Sequence, residues 1–329
     1  MIYYQRFSWI GALLISFLFI LYIIFSSVLL QEQSQESLSF TATNNISLQL
    51  RRNEKSRILN SKRKPIGKCE VIKGYLPLPD STAFVDESIL NEYFNYVDNE
   101  EGVCHKQKVC GSEGESGYAV CEDQKYKPDV PCTVYSFGSR FQFDFEVDVI
   151  KNYICEVHTF DPSQPLRKGI KVPPGVHFHL IGIADKDFTN DDGWEMQTLS
   201  TIMRKLGHSR KTIDILKIDI EGWEWKVLPD ILFSRQFECV KQLAIEVHFG
   251  LQINKTTGFK TFSRNNWGFV SKNEQIDVLK RLQTFGFKIF KRKANPVSKV
   301  FLKRFCREIT TCNVLSLINL EFERRKCQI

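Results

Sequence analysis

The residues best suited to chemistry stand at the ends of two apolar runs. In the run 215–221, Leu216, Ile218 and Ile220 share one face of an extended strand, and Lys217, Asp219 and Glu221 share the other. In the run 243–249, Ile245, Val247 and Phe249 alternate in the same way with Glu246 and His248. Buried parallel strands normally read as near-continuous apolar runs, and burying unpaired charge is expensive. Either Lys217 pairs the carboxylates in an internal salt-bridge network, or the polar groups line a cleft. Such a cleft would hold a cationic ligand, a metal, or a substrate hydroxyl and its base. Other run ends add candidates. At Ser136-Phe137-Gly138-Ser139, Gly138 permits a tight turn and close backbone approach. Phe160-Asp161-Pro162 places an acid where nucleotide-binding sheets hold ribose hydroxyls. Ala184-Asp185 would border an adenine pocket.

These residues need a sheet to position them. Strands are expected at 132–137, 155–160, 177–183, 212–219 and 241–248, then at 286–291 and 314–320. Met196, Leu199, Ile202, Met203 and Leu206 recur at helical spacing and stop at Gly207. Ser271 and Glu274 form a capping box, Ile276, Leu279 and Leu282 follow on one face, and Gly286 ends that helix. A short helix is expected at 90–97. Strands alternating with helices imply right-handed crossovers and a mainly parallel α/β sheet covered on both faces, with ligands beyond its carboxyl edge.

The chain has 329 residues, 43% hydrophobic and 25% charged. That balance excludes wholesale disorder, collagen and an all-membrane bundle. Phe7 to Leu30 carries no charge and as a helix would span about 36 Å, enough to cross a bilayer core. With Arg6 before it and Glu32 and Glu36 after it, the positive-inside bias gives a cytoplasmic tail at 1–6 and a transmembrane anchor at 7–30. The remainder then lies in the lumen of the secretory pathway, as a single-pass type II membrane protein. A cleaved signal peptide, and hence a secreted protein, is the alternative. Residues 31–68 read as a stem, 69–131 as a cysteine-containing extension and 132–329 as the main domain. The ten cysteines suit an oxidising compartment. Cys69, Cys104, Cys110 and Cys121 lack zinc-ligand spacing, so disulfides are expected. The sequons at Asn45 and Asn254 are permitted there. From Lys280 to Arg307 there are ten Lys and Arg and no Asp or Glu, with phenylalanines interleaved. A luminal protein rarely meets nucleic acid, so no nucleic-acid partner is expected. This stretch reads as a solvated face, with an anionic glycan or the membrane surface as its other possible partner.

VYSFGS, EVHTFDPS, LSTIMRKLGH, DILKIDIEGWEW and QLAIEVH, with YAVCEDQ and PCTVYSFG upstream, resemble the FkbM-type S-adenosylmethionine-dependent methyltransferases. The resemblance runs from about Cys121 to His248. It implies a Rossmann-like, seven-stranded class I methyltransferase sheet and S-adenosylmethionine as cofactor. Ser136, Phe137, Gly138 and Ser139 would face the methionine part of the cofactor and Asp161 its ribose. The loop from Asp219 to Glu221 would border the methyl group. SFGS holds one glycine where many methyltransferases hold several. In the strand order so implied the first two strands are neighbours, and Cys132 and Cys155, both at strand starts, could pair. Cys306 and Cys312 are a second local candidate.

Methyl transfer to a hydroxyl requires alignment and proton removal. The expected reaction is O-methylation of a luminal glycan, glycoconjugate or small hydroxylated acceptor. His248 or Glu246 would be the base, and Asp219 and Glu221 would place the acceptor. In a metal-assisted version Asp219, Glu246 and His248 hold a divalent ion. Two rival readings remain. One is a type II glycosyltransferase using Asp185-Lys186-Asp187, and the other is a methyltransferase-fold protein without activity.

Overall fold

The computed structural model describes residues 87–112, 117–163, 171–249, 251–253, 260–262, 265–266, 270–302, 307–323 and 327. The expected anchor, the stem, both sequons, Cys69 and Cys306 lie outside them. Among the described residues no helix is long and apolar enough to cross a membrane. The chain divides into Met1–Lys68 and Cys69–Ile329, and every described residue belongs to the second unit.

Seven strands form one sheet. They are β1 (Thr133–Phe137), β2 (Glu156–Phe160), β3 (Val176–His179), β4 (Ile213–Ile218), β5 (Val240–His248), β6 (Phe287–Ala294) and β7 (Cys312–Asn319). Their spatial order is β6-β7-β5-β4-β1-β2-β3. The first five are parallel, whereas β7 runs antiparallel to both β5 and β6. The chain places β2 and β3 on one side of β1 and β4 and β5 on the other. The resulting switch point lies between β1 and β4, where open α/β sheets bind ligands.

Five helices are described: α1 (Glu87–Val97), α2 (Asp144–Tyr153), α3 (Leu199–Lys205), α4 (Glu224–Phe233) and α5 (Lys272–Phe285). Tyr93, Leu199, Trp225, Leu228, Ile276 and Leu279 from four of them share one core with Phe137, Ile218, Leu243 and Ile245 of the sheet. The expected capping box starts α5: Ser271 Oγ accepts from Glu274 N, and Ser271 N donates to Glu274 Oε2 at 2.7 Å. Gly286, at φ +117°, ends it.

The opposite face is covered by α2 and by a hairpin of Gln107–Cys110 and Tyr118–Cys121. Polar residues on this face of the sheet satisfy the extension's backbone. Gln242 accepts from Cys121 N at 2.7 Å and donates to the carbonyls of Cys121 and Tyr126, and Ser316 Oγ accepts from Ala119 N. A disulfide between Cys104 and Cys121 closes the hairpin region, and a second joins Cys132 to Cys155 at the starts of β1 and β2, as expected. Cys312 carries a free thiol, so the candidate bridge to Cys306 does not form.

Two elements depart from expectation. The third strand stops at His179, and Gly182–Ile183 instead joins a small sheet with Phe188–Thr189 and Glu195–Gln197. Met196, expected on a helix, stands in that sheet, and α3 begins only after the Thr198 cap, which accepts from Thr201 N. The basic stretch carries ion pairs to the first helix and the turn after it. Lys280 pairs with Glu92, Lys288 with Glu101 and Arg292 with Asp98, all on or just after α1.

Candidate functional site

A cavity of 320 Å³ opens at the carboxyl ends of β1, β2 and β4. Phe137, Gly138, Ser139 and Arg140 line it from the first loop, Asp161, Pro162 and Ser163 from the second, and Asp219, Ile220, Glu221 and Trp223 from the fourth. Gly182, Asn190, Trp194 and Met196 close it from the small sheet. Six of the expected site residues therefore meet here: Phe137, Gly138, Ser139, Asp161, Asp219 and Glu221.

Gly138 shows why the first loop needs a glycine. Its φ is +81°, and a Cβ built on it would overlap the Asp219 carbonyl oxygen. The backbones of the β1 and β4 loops therefore touch, which brings both to one ligand. Lys217, buried in β4, donates from Nζ to the Gly138 carbonyl at 2.8 Å and lies 5.3 Å from the Tyr118 ring centroid. It is thus a strut for the loop, not the hub of the salt-bridge network weighed above. Strain gathers at the same place. Arg140, Phe141 and Glu221 are three of the five described non-glycine residues with positive φ, a costly state that clusters at functional sites.

Asp161 is 3% exposed and organises the cleft. Its Oδ2 accepts from Ser139 N (3.1 Å) and Arg140 N (2.7 Å), and its Oδ1 from Ser163 N and Oγ. Four donors from the chain occupy most of the acceptor capacity of a carboxylate, so Asp161 ties two cleft loops together. Ser136 is buried behind the cleft and donates to Glu146 Oε1, and it does not reach the cavity. Burial raises the pKa of Glu146, against the charge of Lys217 and the Ser136 bond.

Asp185 is exposed and also outside the cavity wall. Asp187, the third residue of the Asp185-Lys186-Asp187 triplet, accepts from Thr198 N (2.8 Å) and Thr201 Oγ1 (2.7 Å) at the start of α3. Asp187 thus serves the start of a helix.

Glu246 and His248 are 5% and 6% exposed and stand beside the cleft, not on its wall. Ile245 pairs with Ile218, which brings Glu246 level with Asp219 and His248 level with Glu221. His248 Nε2 is 3.8 Å from Glu221 Oε2. Its Nδ1 is 3.0 Å from Glu224 Oε1, a fully buried carboxylate that also accepts from His248 N and Gly222 N. Burial alone would depress the pKa of His248, but the Glu224 charge and hydrogen bond carry it well above the ordinary value. Its proton is therefore held more tightly than that of a free imidazole. The pKa of Glu246 is raised too, here by burial itself. Burial, then the charge of Asp219, raises it to about 7, while His248 and the bond from Asn295 Nδ2 (2.8 Å) pull it back. A carboxyl titrating near neutrality is the better proton acceptor of the two.

The metal-assisted arrangement does not assemble. Glu246, His248 and Cys312 bring ligand atoms within 4.8 Å of one another, but Asp219 is not in that group. Asp219 Oδ2 instead accepts from the Tyr118 hydroxyl at 3.1 Å.

Sequence reasoning missed Tyr118, Glu224, Asn295 and the Trp194 wall. Trp223 and Glu224 lay within the EGWEW segment and Tyr118 opens the quoted YAVCEDQ, but no signal gave Tyr118, whose hydroxyl crosses from the hairpin to Asp219, a place at the site. Glu224 had one readable signal, an acid in the first turn of a helix directly after the strand end.

The sequence profile of the Methyltransf_22 family, described as a methyltransferase domain, matches residues 80–291. "Probable methyltransferase-like protein 24" of Homo sapiens is 25% identical over 272 residues, covering 75% of this chain and 69% of that protein. Its namesake in Rattus norvegicus is 26% identical over 253 residues, covering 70% and 64%. Among solved structures, a protein in the NADB-Rossmann superfamily from Streptococcus agalactiae aligns at 10% identity and a TM-score of 0.28, covering 62% of this chain and 69% of that one. That superposition carries no weight beside the strand order. Profile and relatives agree with the cleft at the β1–β4 switch point: the chain belongs to the Methyltransf_22 methyltransferase-domain family, on the side of the methyltransferase-like 24 proteins that it resembles.

Proposed function

We propose that this chain is a luminal, membrane-anchored methyltransferase that uses S-adenosylmethionine to methylate a hydroxyl of a glycan, glycoconjugate or small hydroxylated acceptor. The observation that carries the reading is the cleft at the switch point, whose floor is stripped of side chain at Gly138 and whose rim holds Asp219 and Glu221. The groups present fit the cofactor. Phe137, Phe160, Trp194 and Trp223 offer apolar and aromatic wall for a nucleoside, and the two rim carboxylates favour a positive charge. When bound, the cofactor supplies an electrophilic methyl on a sulfonium. Asp161 fixes the two loops that would enclose its ribose and methionine parts. Asp219 and Glu221 orient the acceptor, and Glu246 takes the hydroxyl proton, with His248 held charged by Glu224 behind it. Alignment and a positioned base together supply a large part of such a rate.

A second reading is a methyltransferase-fold protein that binds cofactor without turnover. It rests on the burial of Glu246 and His248 off the cavity wall. Calorimetric titration of the full-length chain with S-adenosylmethionine, then with sugar nucleotides and manganese, is the first test. Binding of the former alone is expected. Labelled-methyl transfer to a panel of glycans and hydroxylated small molecules then separates enzyme from scaffold. Cofactor binding without transfer to any oxygen acceptor would leave the second reading standing, and failure to bind cofactor would refute both.

A further inference from the structure

Four of the six histidines of the chain gather at one place, along β2 and β3 and in the turn before β4. Glu156 opens β2, His158 follows on the same face, and His208 sits in the turn between α3 and β4. His158 Nε2 is 3.2 Å from Glu156 Oε1 and His208 Nε2 is 3.9 Å from the same oxygen. The ligand atoms of the three residues lie within 4.8 Å of one another. The outer nitrogens are engaged elsewhere. His158 Nδ1 is 3.0 Å from His179 Nε2, and His208 Nδ1 is 2.8 Å from the Tyr135 hydroxyl. His177 stacks on His158 with ring centroids 4.9 Å apart.

We propose that Glu156, His158 and His208 form a binding site for a divalent transition-metal ion, zinc by its ligand set, which clamps β2 to the turn after α3. Metal-bound histidines typically ligate through one ring nitrogen and donate from the other to a neighbour that fixes the ring. Both histidines have this layout, each Nε2 facing the shared carboxylate and each Nδ1 facing a fixed partner. A tetrahedral ion about 2.0–2.2 Å from each ligand sets the ligand atoms about 3.3 Å apart. The first pair is already at that spacing, and the second must close by some tenths of an ångström. Both imidazoles are buried, and burial lowers their proton affinity, that of His158 to about 4. Glu156 is exposed, which leaves an entry path.

A cationic group already uses the locus. Lys211 Nζ is 3.1 Å from Glu156 Oε2 and 2.9 Å from His208 Nε2. An incoming ion must displace this ammonium, so Lys211 competes with the metal.

The test uses the full-length chain, stripped with a chelator, in a competition titration of zinc against a chromophoric chelator, with cobalt as a spectroscopic probe. The site predicts one equivalent bound and the visible absorption of tetrahedral cobalt. Glu156→Gln or His208→Ala should weaken binding at least 100-fold. Lys211→Met should tighten it at least tenfold, and because that change removes no ligand it keeps the test valid should the other variants fold poorly. Zinc binding that is absent, or that is unmoved by all three variants, overturns the proposal. Binding abolished by Cys312→Ser would place the ion at the Glu246, His248 and Cys312 group instead and would overturn it equally.

Discussion

Replacing Gly138 by alanine tests whether the β1–β4 cleft is the cofactor site. Two penalties combine. An L-residue held at φ +81° costs about 1–2 kcal/mol. The new Cβ also overlaps the Asp219 carbonyl oxygen and lies 2.8 Å from its carbonyl carbon, so one loop must retreat by roughly an ångström. A shift of about 1 Å in positioned groups can cost around 100-fold in function. Gly207→Ala isolates the first penalty, since Gly207 has φ +73° and open space around its Cβ direction. That control should lower Tm by about 2–8 °C for a domain of this size and leave cofactor affinity unchanged. Gly138→Ala should lower Tm further and weaken S-adenosylmethionine binding about 10–100-fold by calorimetry. If Gly138→Ala binds the cofactor within twofold of the parent while Gly207→Ala shows its expected loss of Tm, the loop contact does not shape the binding site and the reasoning fails.

Glu246, raised to about 7, should give the pH–rate profile a rising limb near that value, and Glu246→Gln should remove the limb and lower kcat by about 10²–10⁴-fold. The same group affects stability with a definite sign. Its proton affinity is higher in the fold than in the unfolded chain, so its contribution is full below about pH 4.5 and is lost as pH rises through about 7. The fall in Tm between those values should be shallower in Glu246→Gln, and identical slopes would reject the assignment. Reducing the Cys132–Cys155 bridge, which closes a sequence separation of 23 residues, should cost about 3 kcal/mol. Comparing Tm of the parent and of the Cys132→Ser, Cys155→Ser double variant under non-reducing conditions checks this, and equal values would show that the bridge does not contribute.

Much of the sheet was legible because alternation and run length report directly on strands that one core must bury. The runs around Val134, Val157, Ile215 and Leu243 became β1, β2, β4 and β5 within a residue or two of expectation. The third strand failed for a local reason: in HFHLIGI apolar character continues past His179, but Gly182 and Ile183 pair with Met196 and Gln197 instead. Polarity on inner strands proved to have two causes that a sequence cannot separate. Lys217 and Gln242 face the hairpin and satisfy carbonyls of Gly138, Cys121 and Tyr126, whereas Asp219 and Glu221, a few residues further on, reach the cavity. Distance along the strand toward its carboxyl end discriminates the two, and polarity does not. The hydroxyl of Tyr118 on Asp219 was invisible for a different reason. It joins residues 101 positions apart through a hairpin whose placement no periodicity encodes.

The electrostatics of the β4 and β5 ends bear on when the proposed base becomes competent. Burial and the charge of Asp219 are the two largest influences holding the proton on Glu246. Asp219 is also on the cavity wall, where a sulfonium would lie. A positive charge bound there offsets Asp219 as Glu246 feels it, and closing the cleft over it cannot bury Glu246 much further, since that residue is already 5% exposed. Cofactor binding should therefore lower the proton affinity of Glu246 and arm it for the acceptor. A fall of about one pKa unit from about 7 would take the group from half to about nine-tenths ionised at pH 7, releasing about 0.4 proton. Titrations with S-adenosylmethionine in buffers of different ionisation enthalpy measure that release directly. It should vanish in Glu246→Gln while the binding constant changes little. Proton uptake, or a release that survives the substitution, would mean that another group responds to the cofactor and that Glu246 is a buried spectator.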